Sequence, residues 1–383
     1  MEASLYLHIP FCAGACDYCD FYSIPVEPET AMIPRYVDAL LRDAEQLIRD
    51  FEITSIPTVY IGGGTPSLLG AAEIGRLLSA LEGLQDSPPT EITVEANPES
   101  ADEAFLQTCL EKGVTRLSLG IQSFHLPSRE AVHRTGTASD AELGPGYTLF
   151  RGRFSADIMT GLPFQNETIL LNDIARLLAR APGHISLYAL TVEPGTPLAE
   201  RVRLNPTLLP EQDAADALWI AGRDALEYAG YAQYEVSNFA LPGKQSAHNI
   251  RYWRMENWLG LGSSASSTII DDETGEGVRL TFAPDAPAYI SGTAPAAETL
   301  DRLTLVKETL LMGFRYIGGP DETLFRKRFG LDVEECIPQT LAAWRKKGLL
   351  NPEKPALAKT GLLFLDPFLL DAFAEAETRR GIF

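Results

Sequence analysis

Cys12, Cys16 and Cys19 stand in the run His8-Ile9-Pro10-Phe11-Cys12-Ala13-Gly14-Ala15-Cys16-Asp17-Tyr18-Cys19-Asp20-Phe21, a spacing of C-x3-C-x2-C. Three thiolates on one loop can hold three irons of a cubane 4Fe-4S cluster. With no fourth cysteine nearby, one iron stays open to a small-molecule ligand, which is how a cluster becomes a catalyst. A structural zinc site would instead want four closed ligands. The only spare cysteines, Cys109 and Cys336, sit alone in helix-like sequence, where buried inert thiols are the usual occupants.

A cluster of this kind has to be carried by a fold, and the chain has room for one. Its 383 residues and 45% apolar content suffice for a large α/β domain and a smaller one, each with a core. Met1 to Ser4 lack the basic and apolar regions of a signal peptide, and no apolar run reaches the roughly 18 residues of a membrane span. The expectation is a cytoplasmic protein with no stable membrane insertion. Five cysteines, three of them clustered, fit metal ligation in a reducing compartment better than a disulfide framework. A net charge of -20 disfavours nucleic acid and anionic lipid as partners, since both reward clustered Lys and Arg.

Strand-like runs at 5–9, 58–61, 91–95, 116–121, 155–160 and 185–190 alternate with amphipathic stretches at 33–50, 71–84, 102–112, 167–181 and 211–229. Strand-helix repetition implies a parallel sheet. Six units are too few for a closed eight-stranded barrel, so an incomplete (β/α)6 TIM-like barrel is expected, its open side covered by later sequence. Gly144-Pro145-Gly146 breaks the helical pattern between the fourth and fifth strands and puts the helix of that connection in doubt.

In such barrels chemistry sits at the C-terminal ends of the strands. There the sequence places the cysteine loop, Gly62-Gly63-Gly64-Thr65-Pro66, Glu95 with Asn97-Pro98, Gly120-Ile121-Gln122-Ser123-Phe124, Asp157, then Tyr188-Ala189 and Glu193. Each alone reads as a cap or turn. Together they put one polar group per strand end around the cysteines, the arrangement of a binding site.

The cysteine triplet resembles the cluster loop of the radical S-adenosylmethionine (SAM) enzymes, in which the open iron chelates the amino and carboxylate groups of SAM. Glu95-Ala96-Asn97-Pro98, Gly120 to Phe124, Asp157-x-x-x-Gly161-Leu162-Pro163 and Tyr234 to Phe239 are similar, with the glycine run and Thr65-Pro66, to the oxygen-independent coproporphyrinogen III oxidase superfamily over nearly the whole chain. That superfamily has an oxidase branch, which decarboxylates porphyrinogen propionates, and a haem-chaperone branch. The oxidase loop carries a further cysteine where this chain has Phe21, and His248-Asn249-Ile250-Arg251-Tyr252-Trp253 resembles a chaperone-branch motif.

The resemblance implies roles for particular residues. Cys12, Cys16 and Cys19 would ligate the 4Fe-4S cluster. Gly63, Gly64 and Thr65 would line the SAM amino group, with Glu95 available to a cation or hydroxyl. Gln122, Arg134 and Asp157 match polar contacts to SAM, and Tyr6, Tyr18 and Ala189 match positions near cluster and SAM. Arg134 and Asp157 could equally form a structural ion pair, and Tyr18 could simply pack. It also implies haem or a porphyrin as cargo, a flavodoxin- or ferredoxin-type reductant and a haem-acceptor protein. Two family histidines are missing: Thr135-Gly136-Thr137 follows Arg134, and Ser263 to Ser267 replaces a His-containing run.

The barrel domain is expected over 1–232, a covering segment over 233–290 and a C-terminal helical, winged-helix-like domain over 291–383. In the covering segment His248, beside Tyr252 and Trp253, could ligate haem iron or could hydrogen-bond a loop against the barrel. Arg345-Lys346-Lys347 reads as a solvated helix end that complements the dipole. An anaerobic porphyrinogen decarboxylase, a divergent radical SAM enzyme and a winged-helix binding protein with a vestigial barrel are the alternatives to a haem chaperone.

Overall fold

Strand β1 (Ser4–Ile9) alternates between two environments, as a pleated strand must. Leu5, Leu7 and Ile9 are buried in the main apolar cluster with Val37 and Leu40 of helix α1 (Met32–Asp50), whereas Tyr6 and His8 face the other side. In the computed structural model, which describes residues 1–27, 30–84 and 87–382, the pattern recurs five times. The further strands are β2 (Thr58–Gly63), β3 (Glu91–Ala96), β4 (Arg116–Gln122), β5 (Phe154–Thr160) and β6 (His184–Ala189). They pair in parallel in chain order. Helices α2 (Gly70–Glu82), α3 (Glu103–Glu111), α4 (Leu126–Ala131), α5 (Asp140–Leu149), α6 (Glu167–Leu178), α7 (Pro197–Leu204) and α8 (Gln212–Tyr228) occupy the connections. This is the expected incomplete (β/α)6 barrel.

The helix left in doubt at Gly144-Pro145-Gly146 is formed: α5 runs through all three residues. Its start is fixed by a capping box between Ser139 and Glu142. Gly146 is needed for packing rather than for a turn, since a Cβ there would stand 3.3 Å from Leu119. In so short a helix Pro145 removes one backbone hydrogen bond, and burial of Leu143 and Tyr147 outweighs the loss.

Later sequence extends the barrel at both edges. β7 (Ala232–Gln233) and β8 (Asn238–Ala240) add to β6 antiparallel, through β8. On the far side β9 (Trp258–Leu261) joins β1 in parallel, and β10 (Ser266–Asp271), β11 (Glu276–Thr281) and β12 (Ala296–Leu300) continue antiparallel to complete a sheet of 12 strands. β12 lies beyond residue 290 and is held in the sheet by β11, with Gly277 opposite Leu300. Between the edges α9 (Ala247–Trp253) lies against the barrel, with His248 bonded to Thr58 at the start of β2.

The C-terminal helices α10 (Ala286–Ile290), α11 (Arg302–Arg315), α12 (Glu322–Phe329), α13 (Val333–Cys336), α14 (Pro338–Lys346) and α15 (Leu365–Thr378) follow. From α11 onward they bury their own cluster around Phe314, Phe325, Phe329, Trp344 and Phe368. Between α14 and α15 a single antiparallel bridge joins Leu350 and Leu357. Cys109 and Cys336 are buried, and burial pushes both thiols up to about 12, so they are inert. Among the described residues no helix is long and apolar enough to cross a membrane.

Candidate functional site

A cavity of about 400 Å³ opens at the C-terminal ends of the barrel strands. Its wall includes Cys12, Cys16, Tyr18, Cys19, Gly63, Gly64, Thr65, Glu95, Gln122, Arg134, Asp157 and Ala189, residues drawn from every barrel strand or the loop after it. Of the residues given a cofactor role from the sequence, Tyr6 and His248 lie outside that wall.

The cysteine loop is tied down on all sides. Gly64 N–H donates to Ile9 O at 2.7 Å, Ile24 N–H to Pro10 O at 2.7 Å and Val26 N–H to Cys12 O at 3.0 Å. Asp17, between two cysteines, is the strongest clamp: its carboxylate accepts from Arg201 of α7 and is held 2.8 Å from His133 Nδ1. Its backbone N–H bonds Val132 O and its carbonyl takes Leu198 N–H. Burial would raise the Asp17 pKa, but His133 and Arg201 outweigh it and hold the carboxyl below its ordinary value. Nothing in the spacing of the chain marks Asp17 as a clamp, since its partner Arg201 is 184 positions away.

The glycines after β2 let backbone reach the loop. Gly63 has φ 110°, a conformation other residues resist, and a Cβ on Gly64 would collide with Phe11 O at 2.7 Å and approach Cys12 Sγ at 3.1 Å. Thr65 Oγ1 lies 3.5 Å from Cys12 Sγ and accepts from Asn97 Nδ2 at 3.2 Å. Glu95 accepts from Tyr60 OH at 2.6 Å and from Gly63 N–H at 3.1 Å, yet burial pushes its carboxyl up to about 7.

At the end of β4 a bulge shifts the register between Gly120 and Gln122, and Gln122 takes φ 67°. Such backbone strain in a non-glycine residue at a cavity wall is a mark of a functional position. Arg134 Nη2 donates to Asn97 Oδ1 and to Gly120 O, each at 2.6 Å, and Nη1 lies 3.7 Å from Cys16 Sγ. The alternative ion pair between Arg134 and Asp157 is not formed among the described residues. Asp157 instead accepts from Ser118 Oγ at 3.4 Å, and burial raises its pKa.

Tyr6 stands outside the wall of this cavity, its hydroxyl 3.1 Å from His8 Nδ1. His248 lies at the opposite end of the barrel. It is 1% exposed, 2.8 Å from Thr58 Oγ1, with Tyr60 and Tyr252 rings at 5.1 Å and 4.8 Å. Burial pushes its pKa down to about 3, so the ring is neutral. A ring so enclosed leaves no room for a macrocycle, and the haem-ligand role considered for it is replaced by the structural one. Thr137 and Ser266, where family histidines are missing, are also outside the cavity wall; Thr137 bonds Glu142 and Ser266 begins β10.

The donor set fits a cubane cluster. The three thiols sit half-buried on one clamped loop facing a cavity. Among the described residues no three His, Cys, Asp or Glu side chains converge as a single-ion site needs, whereas a cubane presents a separate iron to each thiolate. Burial pushes the Cys19 thiol up to about 11, so a bound metal is what would draw off its proton.

Comparison with known proteins agrees with this geometry. The family model for the radical SAM superfamily matches residues 6–178. The chain is 35% identical to the mouse (Mus musculus) protein named radical S-adenosyl methionine domain-containing protein 1, mitochondrial, over 97% of this chain and 89% of that one. It is 30% identical to the haem chaperone HemW of Lactococcus lactis, over 96% and 97%. The solved structure of coproporphyrinogen III oxidase (HemN) from Escherichia coli, a radical SAM enzyme, superposes with a TM-score of 0.81 at 22% identity, over 97% of this chain and 90% of that one, a likeness of fold.

Proposed function

This chain belongs to the family of radical SAM proteins that includes the HemW haem chaperones, and from that premise we propose that it binds haem and passes it to acceptor proteins. The observation that carries the proposal is the identity to haem chaperones along nearly the full length of both chains. Phe21 supports it: the residue is 64% exposed at the wall of the cavity, and at this position the oxidase resemblance requires a cysteine. With Tyr188, 41% exposed in the same wall, it offers ring faces to a flat macrocycle.

Family membership brings a 4Fe-4S cluster and SAM as cofactors. When bound, that pair supplies one-electron chemistry on demand from an external reductant, which we propose to be of flavodoxin or ferredoxin type. The chain's own part is to bind and orient. Cys12, Cys16 and Cys19 would hold the cluster, and the Asp17 clamp keeps their loop in place. Gly63, Gly64 and Thr65 would admit the amino end of SAM, with Glu95 as counter-charge. Gln122, Arg134 and Asp157 would contact the rest of SAM, and Tyr6, Tyr18 and Ala189 would shape its surroundings. Arg134 also brings a fixed positive charge near the Cys16 sulfur. A cytoplasmic location belongs to the same proposal, since a reducing compartment keeps the three thiols free for iron.

The test is an anaerobic assay of the reconstituted protein with coproporphyrinogen III, SAM and a low-potential reductant. We expect no protoporphyrinogen IX above a cluster-free control. Formation well above that control would replace the chaperone with an oxidative decarboxylase.

A further inference from the structure

The N-terminal mouth of the barrel holds a second cavity of about 400 Å³. The alternation of β4 places Arg116, Ser118 and Gly120 on the inner face. Ser118 and Gly120 line the cluster cavity, whereas Arg116 lines the second one. The two cavities therefore lie toward opposite ends of the barrel interior, Arg116 and Gly120 being four positions apart on β4, about 13 Å.

Arg116 is 8% exposed, and its Nε is buried with no hydrogen-bond acceptor. Among the described residues it forms no ion pair. Glu95 and Asp157, deeper in the barrel, feel its charge, but the buried Nε donor is left without an acceptor, which is costly unless something else satisfies it. The wall of the cavity adds two more cations, Arg153 and Lys244, both exposed at the mouth and neither ion-paired among the described residues.

The other titratable groups in that wall are already committed. Glu91 accepts the Ala247 and His248 N–H groups at 2.9 and 3.0 Å and the Ser246 hydroxyl at 3.3 Å, anchoring the start of α9. His184 is bonded on both ring nitrogens, to Ser155 at 2.7 Å and Tyr234 at 2.8 Å. Burial pushes its pKa well below the ordinary value, so it is neutral. Three cations thus face one occupied carboxylate, in a chain whose net charge is -20. The glycines keep the wall low: a Cβ on Gly183 would stand 2.9 Å from Gly152 O and 3.3 Å from the Lys244 stem.

We propose that this cavity binds a small oxyanion, a carboxylate or phosphate group of a metabolite-sized ligand, seated on the Arg116 guanidinium with Arg153 and Lys244 closing over it. Guanidinium recognises both groups through paired N–H donors. The site is separate from the cluster cavity and stands whether or not the chain carries haem.

The test is calorimetric titration of the full chain in a chloride buffer with inorganic phosphate and, separately, with malonate. Saturable binding of at least one is expected, weakening as salt is raised. Binding of phosphate alone identifies a phosphate ligand, and of malonate alone a carboxylate ligand. Arg116→Gln should weaken binding by roughly tenfold or more, the loss of one charge-assisted hydrogen bond. It should change the thermal midpoint of the ligand-free protein little, because among the described residues Arg116 forms no ion pair and its Nε has no acceptor. If that variant fails to fold, Arg153→Gln/Lys244→Gln, both on the surface, decides by the same loss of affinity. No saturable heat with either anion at millimolar concentration, or wild-type affinity in these variants, overturns the site.

Discussion

Gly64 lies so close to Cys12 that a Cβ on it would stand 3.1 Å from the thiol sulfur, with the Phe11 carbonyl oxygen at 2.7 Å. The cysteine loop is thus built directly onto the glycine turn after β2. Gly64→Ala must push that loop away, at a cost of about 1–3 kcal/mol, and should lower the iron bound after anaerobic reconstitution. Gly144→Ala is the control. Nothing lies within 4 Å of its added methyl in α5, so iron content should be unchanged and stability equal or higher by about 0.5–1 kcal/mol. Full iron loading of the Gly64 variant would detach the turn from the cluster loop.

Burial pushes the Glu95 carboxyl up to about 7, against the hydrogen bonds from Tyr60 and Gly63 that favour its ionised form. An unfolded glutamate ionises near about 4.3. Between about 4.3 and about 7 the folded chain therefore holds a proton that the unfolded chain has released, and stability falls as pH rises through that window. Glu235, also pushed up to about 7 by burial, adds to the same slope. Glu95→Gln keeps the shape, its amide oxygen accepting from Gly63 and its NH2 facing the Tyr60 oxygen. Urea denaturation of ligand-free protein should find the variant no more stable than wild type near pH 4 and more stable above pH 7, by on the order of 3 kcal/mol. A difference that does not vary with pH would show that Glu95 titrates normally.

His248 is enclosed at the N-terminal end of the barrel, opposite the cluster cavity, so His248→Ala should leave the Soret band of the haem-bound protein in place. The lost packing and the lost hydrogen bond to Thr58, whose hydroxyl keeps Ser4 Oγ as a partner, should cost about 2–4 kcal/mol in denaturant. A shifted Soret band with unchanged stability would restore the ligand role.

Much of this was readable from residue order alone. The six barrel strands lie within about two residues of the runs read from apolar periodicity, because parallel strands under helices carry long apolar runs. Strand ends then placed the cavity wall. What could not be read depends on three-dimensional company. The Gly-Pro-Gly segment is helical because Ser139 and Glu142 fix its start and Leu119 packs against Gly146. His248 reads the same whether it faces solvent or a lumen, and only the position of α9 decides. The Asp17–Arg201 clamp and the solitary charge of Arg116 are set by which strands and helices become neighbours.

The measurement that bears most directly on the central claim is a haem titration of anaerobically reconstituted protein, followed at the Soret band, beside a variant with Cys12, Cys16 and Cys19 all changed to Ala. The account predicts saturable, stoichiometric haem binding by the wild type and loss of the cluster spectrum in the variant. A linear, unsaturable rise in Soret absorbance for the wild type, as free haem gives, would contradict the assignment of haem as cargo. A cluster spectrum surviving in the triple variant would contradict the assignment of its ligands.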